Sequence, residues 1–234
     1  MSGSFYRSTL GGAALPLMLA AASILMAVKA GANGGHFLVD DAATTPPQTC
    51  ALETWVTRMD PTTRATVAPM CNITGASEWK LPLEYNLSND ELTTIGLDYK
   101  RVLWASRSGP ALAGSAGFRY NRVTSEMDTY YLNIPLSFQP MDSLTLHLNG
   151  GVEHDRPLDD TYATWGVAAT FKPVTGPIWI LEMYDNDRRQ DPIIAGGARM
   201  NVGSTRWTLD LGLARDTQLD ETAYTLGINI PRLF

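Results

Sequence analysis

Charged and hydrogen-bonding residues recur at positions of one parity in several stretches of the chain. They are Lys80 and Glu84, Asp98 and Lys100, and His147 with Asn149 and Glu153; Arg119, Glu182, Arg199 and Asp210 stand in similar surroundings. An extended strand sends successive side chains to opposite faces, so residues of one parity share a face. Opposite charges in mid-strand must be paired or wet. Two kinds of chemistry follow. One is a salt-bridged network that fills an enclosed interior. The other is a polar path that selects small solutes by size and charge.

Catalytic constellations are weak by comparison. Of the three histidines, His36 precedes the first strand, His154 falls at a loop and His147 has Ser143 four residues away. That spacing is too long for the side chains to meet along one strand, so a nucleophile–base pair would need a serine from another strand. There is no Gly-rich phosphate loop, no Cys-x-x-Cys pair and no His-x-x-x-His pattern. The expectation is a protein that is not an enzyme and has no catalytic residue, cofactor or metal site. Lipid modification by a barrel enzyme through His147 is the least favoured alternative.

The elements that must carry these residues are strands. The last stretch, 222–234, places Tyr224, Leu226, Ile228, Ile230, Arg232 and Phe234 on one parity and Ala223, Thr225, Gly227, Asn229 and Pro231 on the other. Tyr224 and Phe234 are far enough apart to span roughly 25 Å along a tilted strand, the height of an outer-membrane apolar band with its aromatic girdles. We take Tyr224, Gly227 and Phe234 as the outer-membrane assembly signal. Twelve strand candidates are separated by turn signals: 50–58, 64–74, 77–87, 91–104, 113–122, 127–138, 142–154, 160–172, 177–186, 193–202, 206–215 and 221–234. Apolar alternation is plain in several, as in Tyr130, Leu132, Ile134, Leu136 and Phe138. With 44% hydrophobic and 18% charged residues, the chain suits a barrel whose apolar face is diluted by a polar one.

The turns alternate in kind. One set is short and small, such as 75–77 and 203–205; the other is longer on average and charged, such as 155–160 and 185–191. Short turns on one rim and longer loops on the other is the asymmetry of outer-membrane barrels. The expected fold is therefore all-β: a closed, antiparallel transmembrane β-barrel of about twelve strands, an even number, with both termini periplasmic.

Residues 1–32 have the pattern of a secretory signal: Arg7, an apolar core over 10–28, and Ala30-Gly31-Ala32 as the cleavage site. A retained N-terminal helix is the alternative reading of that stretch. Cleavage would remove Arg7 and Lys29 and no acid, taking the net charge from −6 to −8. An acidic exported chain is no partner for nucleic acid. Residues 33–49 form a polar, Pro-broken lead-in beneath the barrel or a plug within it, and 50–234 form the barrel. Export permits a disulfide. A turn centred between Asp60 and Pro61 places Cys50 directly opposite Cys71, where a cross-strand disulfide fits. Two free thiols or metal ligands are the other reading, though no His or further Cys lies nearby in sequence to complete a zinc site.

Five stretches resemble a known family, the outer-membrane proteins grouped under "MetA-pathway of phenol degradation". His36-Phe-Leu-Val-Asp-Asp41 looks like the family's start and Leu52-Glu53 like its first strand. Leu146-His-Leu-Asn-Gly-Gly151 is similar to its His-x-Asn-x-Gly strand, and Ile180-Leu-Glu182 to a late strand with an inward Glu. Gly197 through Trp207-Thr-Leu-Asp-Leu-Gly212 to Phe234 resembles its closing strands. Two features depart from it: the end Pro231-Arg-Leu-Phe234, where the family has an aromatic-Arg-Phe, and the Cys50/Cys71 pair. The resemblance implies passage of small, aromatic or hydrophobic compounds. The functional expectation is a channel or facilitator for a small-molecule solute. Its other partners would be outer-membrane lipid and the barrel-assembly machinery, and its lumen would be lined by the charged residues named above. The alternative is a non-conducting barrel that binds partners through its external loops. Nothing in the sequence fixes an oligomeric state.

Overall fold

A computed structural model describes residues 36–106 and 109–233. The signal-like segment and Phe234 lie outside them. The strands, in chain order, are β1 (Thr49–Met59), β2 (Thr62–Asn72), β3 (Ser77–Lys80), β4 (Leu83–Asn86), β5 (Glu91–Ala105), β6 (Ala111–Asn121) and β7 (Glu126–Met141). There follow β8 (Leu144–Asp155), β9 (Asp160–Phe171), β10 (Ile178–Asn186), β11 (Ile193–Asn201), β12 (Thr208–Asp216) and β13 (Glu221–Ile230).

Apart from β3 and β4, which do not pair with each other, consecutive strands pair antiparallel, and β1 pairs with β13 from Leu52↔Ile230 to Met59↔Ala223, which closes the barrel. The expected third strand, 77–87, is not continuous. It breaks at Leu81–Pro82 into β3 and β4, which share one place between β2 and β5 and bring the barrel to twelve strand positions. Proline has no N–H to give the ladder. The gap is bridged instead by Leu81 N–H donating to the Pro69 carbonyl and Gly96 N–H donating to the Pro82 carbonyl. His154, expected at a loop, lies near the end of β8, its Nδ1 2.9 Å from the hydroxyl of Thr161.

Thr49 and Ile230 stand at the rim to which the sequence assigns the short turns, hereafter the short-turn rim. Its connections between strands are nevertheless no shorter on average than those of the opposite, long-loop rim, so the expected asymmetry of turn length does not hold. At the other rim four turns each hold a residue in the left-handed region: Asp90, Ser125, Asp159 and Asp220, with φ of 58°, 58°, 50° and 59°. Short polar side chains tolerate that conformation by bonding nearby backbone, which keeps these connections tight.

Burial is inverted relative to a water-soluble domain. Tyr224 is 61% exposed and Leu226 51%, and Leu132, Ile134, Leu181 and Leu211 are exposed with them. His147 is 2% exposed, Glu182 3% and Asp210 0%. An apolar outer surface around a polar interior is the arrangement a closed strand barrel needs in lipid. Exposed Trp79, Trp104, Phe171, Trp179 and Trp207 gather near the short-turn rim, as an interfacial aromatic girdle would. At that rim Cys50 and Cys71 are opposed in the β1–β2 register and form a disulfide.

Candidate functional site

The barrel encloses a cavity of about 2010 Å³ whose lining runs from Gln139 and Pro231 at the short-turn rim to Asp128 and Glu153 near the other. Its walls are formed mainly by the inward parity of the strands and by the lead-in. Each interior cation meets a carboxylate. Lys80 Nζ lies 2.6 Å from Glu53, and Arg119 Nη1 2.5 Å from Asp98. Arg199 grips Asp210 with Nε at 2.8 Å and Nη2 at 2.6 Å, and Asn229 donates to the same carboxylate at 2.7 Å. Arg64 approaches Glu84 at 3.9 Å, towards the long-loop rim. Aromatic faces support three of the cations: Trp55 under Lys80, Tyr131 under Arg119 and Phe37 under Arg199, at 6.0, 5.5 and 5.7 Å.

Lys100 pairs with the lead-in and not with the wall. Its Nζ lies 2.7 Å from Asp40 and 3.2 Å from Asp41. The lead-in, residues 36–48, runs inside the barrel, with Val39 fully buried. Its backbone is held by side chains from several strands. Leu38 and Val39 N–H donate to the two carboxylate oxygens of Glu182, at 3.0 and 2.9 Å. Asn149 accepts from Asp40 N–H at 2.9 Å and donates to its carbonyl at 2.7 Å. Ser137 Oγ accepts from Ala42 N–H at 2.8 Å, and Glu78 accepts from Thr45 N–H at 2.6 Å. These bonds replace the ladder that an isolated segment lacks.

Ser137, Glu78, Glu53, Asp40 and Asp41 therefore belong to the site although parity within one strand does not single them out. Glu53 alternates with Ala51 and Trp55 on an inward face that carries too few charges to stand out. Ser137 supplies the cross-strand partner that His147 lacks in its own strand: Oγ and Nδ1 are 2.8 Å apart, with Thr170 3.4 Å from Nε2. That oxygen also accepts from Ala42 N–H, so the pair fastens the lead-in. Glu153 takes a bond from the Tyr162 hydroxyl at 2.5 Å, near the long-loop rim. Of the assembly-signal residues, Tyr224 faces outward, and Gly227 faces inward beside Trp55 and Asp210.

At the start of the lead-in, the His36 ring packs on Gly212 and against Phe37, and both ring nitrogens are buried without a hydrogen-bond partner among the described residues. Burial lowers its pKa from 6.5 to about 4, with Asp210 and Glu53 opposing and Arg199 adding to the shift. A depressed pKa means that the docked segment holds the neutral ring. Its contribution to docking is complete above 6.5 and is lost as the pH falls towards 4. Protease cleavage at Phe37 and Leu38 in folded protein should therefore be faster near pH ~5 than near ~7.5. His36→Leu should flatten that ratio; a ratio unchanged by the substitution would remove His36 from the account.

A family model described as "Uncharacterised conserved protein UCP029691" matches residues 21–231. It is this family, and not the MetA-pathway family that the short motifs resemble, that matches the chain. Comparison with curated proteins finds no match. Among solved structures, the chain is similar to a KdgM porin with TM-score 0.64 and 8% identity, and to a NanC porin with TM-score 0.59 and 9% identity; each match covers 77% of this chain and 98% of the other. The outer membrane protein Omp33 of Acinetobacter baumannii follows at TM-score 0.51 and 8% identity, over 80% of this chain and 98% of that one. At these identities the likeness is one of fold: an outer-membrane porin-type β-barrel.

Proposed function

Starting from a chain that belongs to the family "Uncharacterised conserved protein UCP029691" and folds as a porin-type barrel, we propose an outer-membrane channel for small hydrophilic solutes, narrowed by its own lead-in. The observation that carries this reading is the interior cavity, which extends between the two rims and carries ion-paired charges among apolar side chains along its lining. One of the porins with this fold is described in complex with disordered oligogalacturonate, so the architecture accommodates a hydrophilic solute in that protein. The aromatic or hydrophobic solute implied by the MetA-pathway resemblance would have to pass the ion pairs of Lys80, Lys100 and Arg119, which favour a polar solute at that height.

In the same reading, residues 1–32 are a cleaved signal, 33–49 an internal lead-in and 50–234 the barrel. The outer face meets membrane lipid, and the terminal strand addresses the assembly machinery. The residues proposed to line the path are Lys80, Glu84, Asp98, Lys100, Arg119, His147, Asn149, Glu153, Glu182, Arg199 and Asp210.

One observation favours a second reading. Every interior cation is ion-paired, as a barrel filled for stability and closed to solutes would have it. Swelling of liposomes containing the folded chain separates the two. The channel reading predicts swelling in sugars and amino acids that falls with solute size. No swelling with any of them would favour the filled barrel.

A further inference from the structure

Once each interior cation has been assigned its carboxylate, the interior acids left without a Lys or Arg ion pair among the described residues include Glu78, Glu153 and Glu182. Glu153 is served by a tyrosine hydroxyl, and Glu78 by the amide and hydroxyl of Thr45. Glu182 is the most telling of the three. It is 3% exposed, and its two oxygens each accept one N–H from consecutive residues, Leu38 and Val39, at 3.0 and 2.9 Å. Two N–H groups side by side on one carboxylate is the pattern that a guanidinium presents, and a guanidinium adds the positive charge that neutral amides lack.

The surroundings of Glu182 are built to admit something flat. Its cross-strand neighbours are Ala195 on β11 and Ala168 on β9. Two residues farther along those strands are Gly197 and Gly166. A Cβ at Gly197 would stand 3.0 Å from the Phe37 ring, and one at Gly166 would stand 2.9 Å from Val39 Cγ2. Four small residues thus leave a shallow floor around one buried carboxylate, and apolar side chains of the lead-in lie on it.

From this arrangement we infer that Glu182 and the Gly166/Ala168/Ala195/Gly197 floor form a binding site in the lumen for guanidinium or amidinium compounds with a short apolar arm, and that the lead-in is an internal stand-in for that ligand. The inference rests on the channel reading and names its solute class. Acidic side chains outnumber Lys and Arg among the residues that line the cavity, so the path prefers cations to anions. A guanidinium solute replaces the Leu38 and Val39 amides on Glu182 and displaces that part of the lead-in, while Lys100 still holds Asp40 and Asp41.

The test uses the folded mature chain in planar bilayers, with agmatine and glucuronate as probes of opposite charge. Asymmetric KCl should give a reversal potential of the sign for K⁺ preference. Agmatine should block the current, and glucuronate should not. In Glu182→Gln, the agmatine concentration for half-block should rise about tenfold, the loss of one charge-assisted fork. Glu182→Asp, which keeps the charge but shortens the reach, should weaken block as well and serves if the Gln variant does not fold. Cl⁻ preference, equal block by both probes, or block unchanged in the variants would overturn the site while leaving a channel. A wild-type chain that forms no channels at all would overturn the channel reading and this inference with it.

Discussion

Arg199→Ala should destabilise the barrel by about 3–5 kcal/mol, the range for stripping one partner from a buried ion pair. Asp210 is fully buried, and its carboxylate receives two guanidinium bonds and one from Asn229. With the arginine gone, a single neutral amide would face a charge that water cannot reach. The three residues sit on β11, β12 and β13, so the pair ties together the strands beside the closing seam. Urea unfolding in detergent micelles or vesicles reads the loss. The double variant Arg199→Ala/Asp210→Ala should recover more than half of it, because the stranded carboxylate, and not the missing contact, dominates the cost. If the single variant unfolds at the wild-type urea concentration, the pair is not buried in the membrane-inserted barrel.

Lys100→Ala should release the lead-in. The lysine is an interior cation whose ion-pair partners, Asp40 and Asp41, belong to the segment and not to the wall. Its removal leaves two adjacent carboxylates inside the barrel without the ammonium that bridges them. A penalty of about 3–5 kcal/mol on docking corresponds to a change of roughly a hundredfold or more in the docked-to-released ratio. Solute entry into vesicles should therefore rise several-fold, and the lead-in should become cleavable by protease. Adding Asp40→Asn and Asp41→Asn to the variant should restore slow entry, since it removes the charges that drive release. A barrel merely loosened by the mutation would not recover in this way. Unchanged entry and unchanged cleavage in Lys100→Ala would mean that the salt bridge does not hold the segment.

The strands were readable from the sequence because each must keep one parity apolar. The alternation Tyr130 to Phe138 lies within β7, and the Asp60/Pro61 turn placed Cys50 against Cys71. The break of the third strand was signalled by Pro82 but masked by apolar residues continuing on either side of it. The inner site was only half legible. Parity puts Lys80, Asp98 and Arg199 on an inward face but cannot say which strand supplies each counter-ion. The pairs Lys80–Glu53 and Arg119–Asp98 span 27 and 21 residues of chain. The path of the lead-in was the least legible part. It is held by side chains bonding backbone, as at Glu182, Asn149 and Ser137, and such bonds impose no periodicity on the segment they hold.

The most direct test of the account is the conductance of the folded chain without residues 1–32 in a planar bilayer, with its barrel state confirmed by heat-modifiable migration on a gel. The account predicts steady unitary current steps in the wild type, larger in Lys100→Ala. A folded barrel that gives no current in either protein would contradict it and leave the charged interior as a filled, non-conducting core.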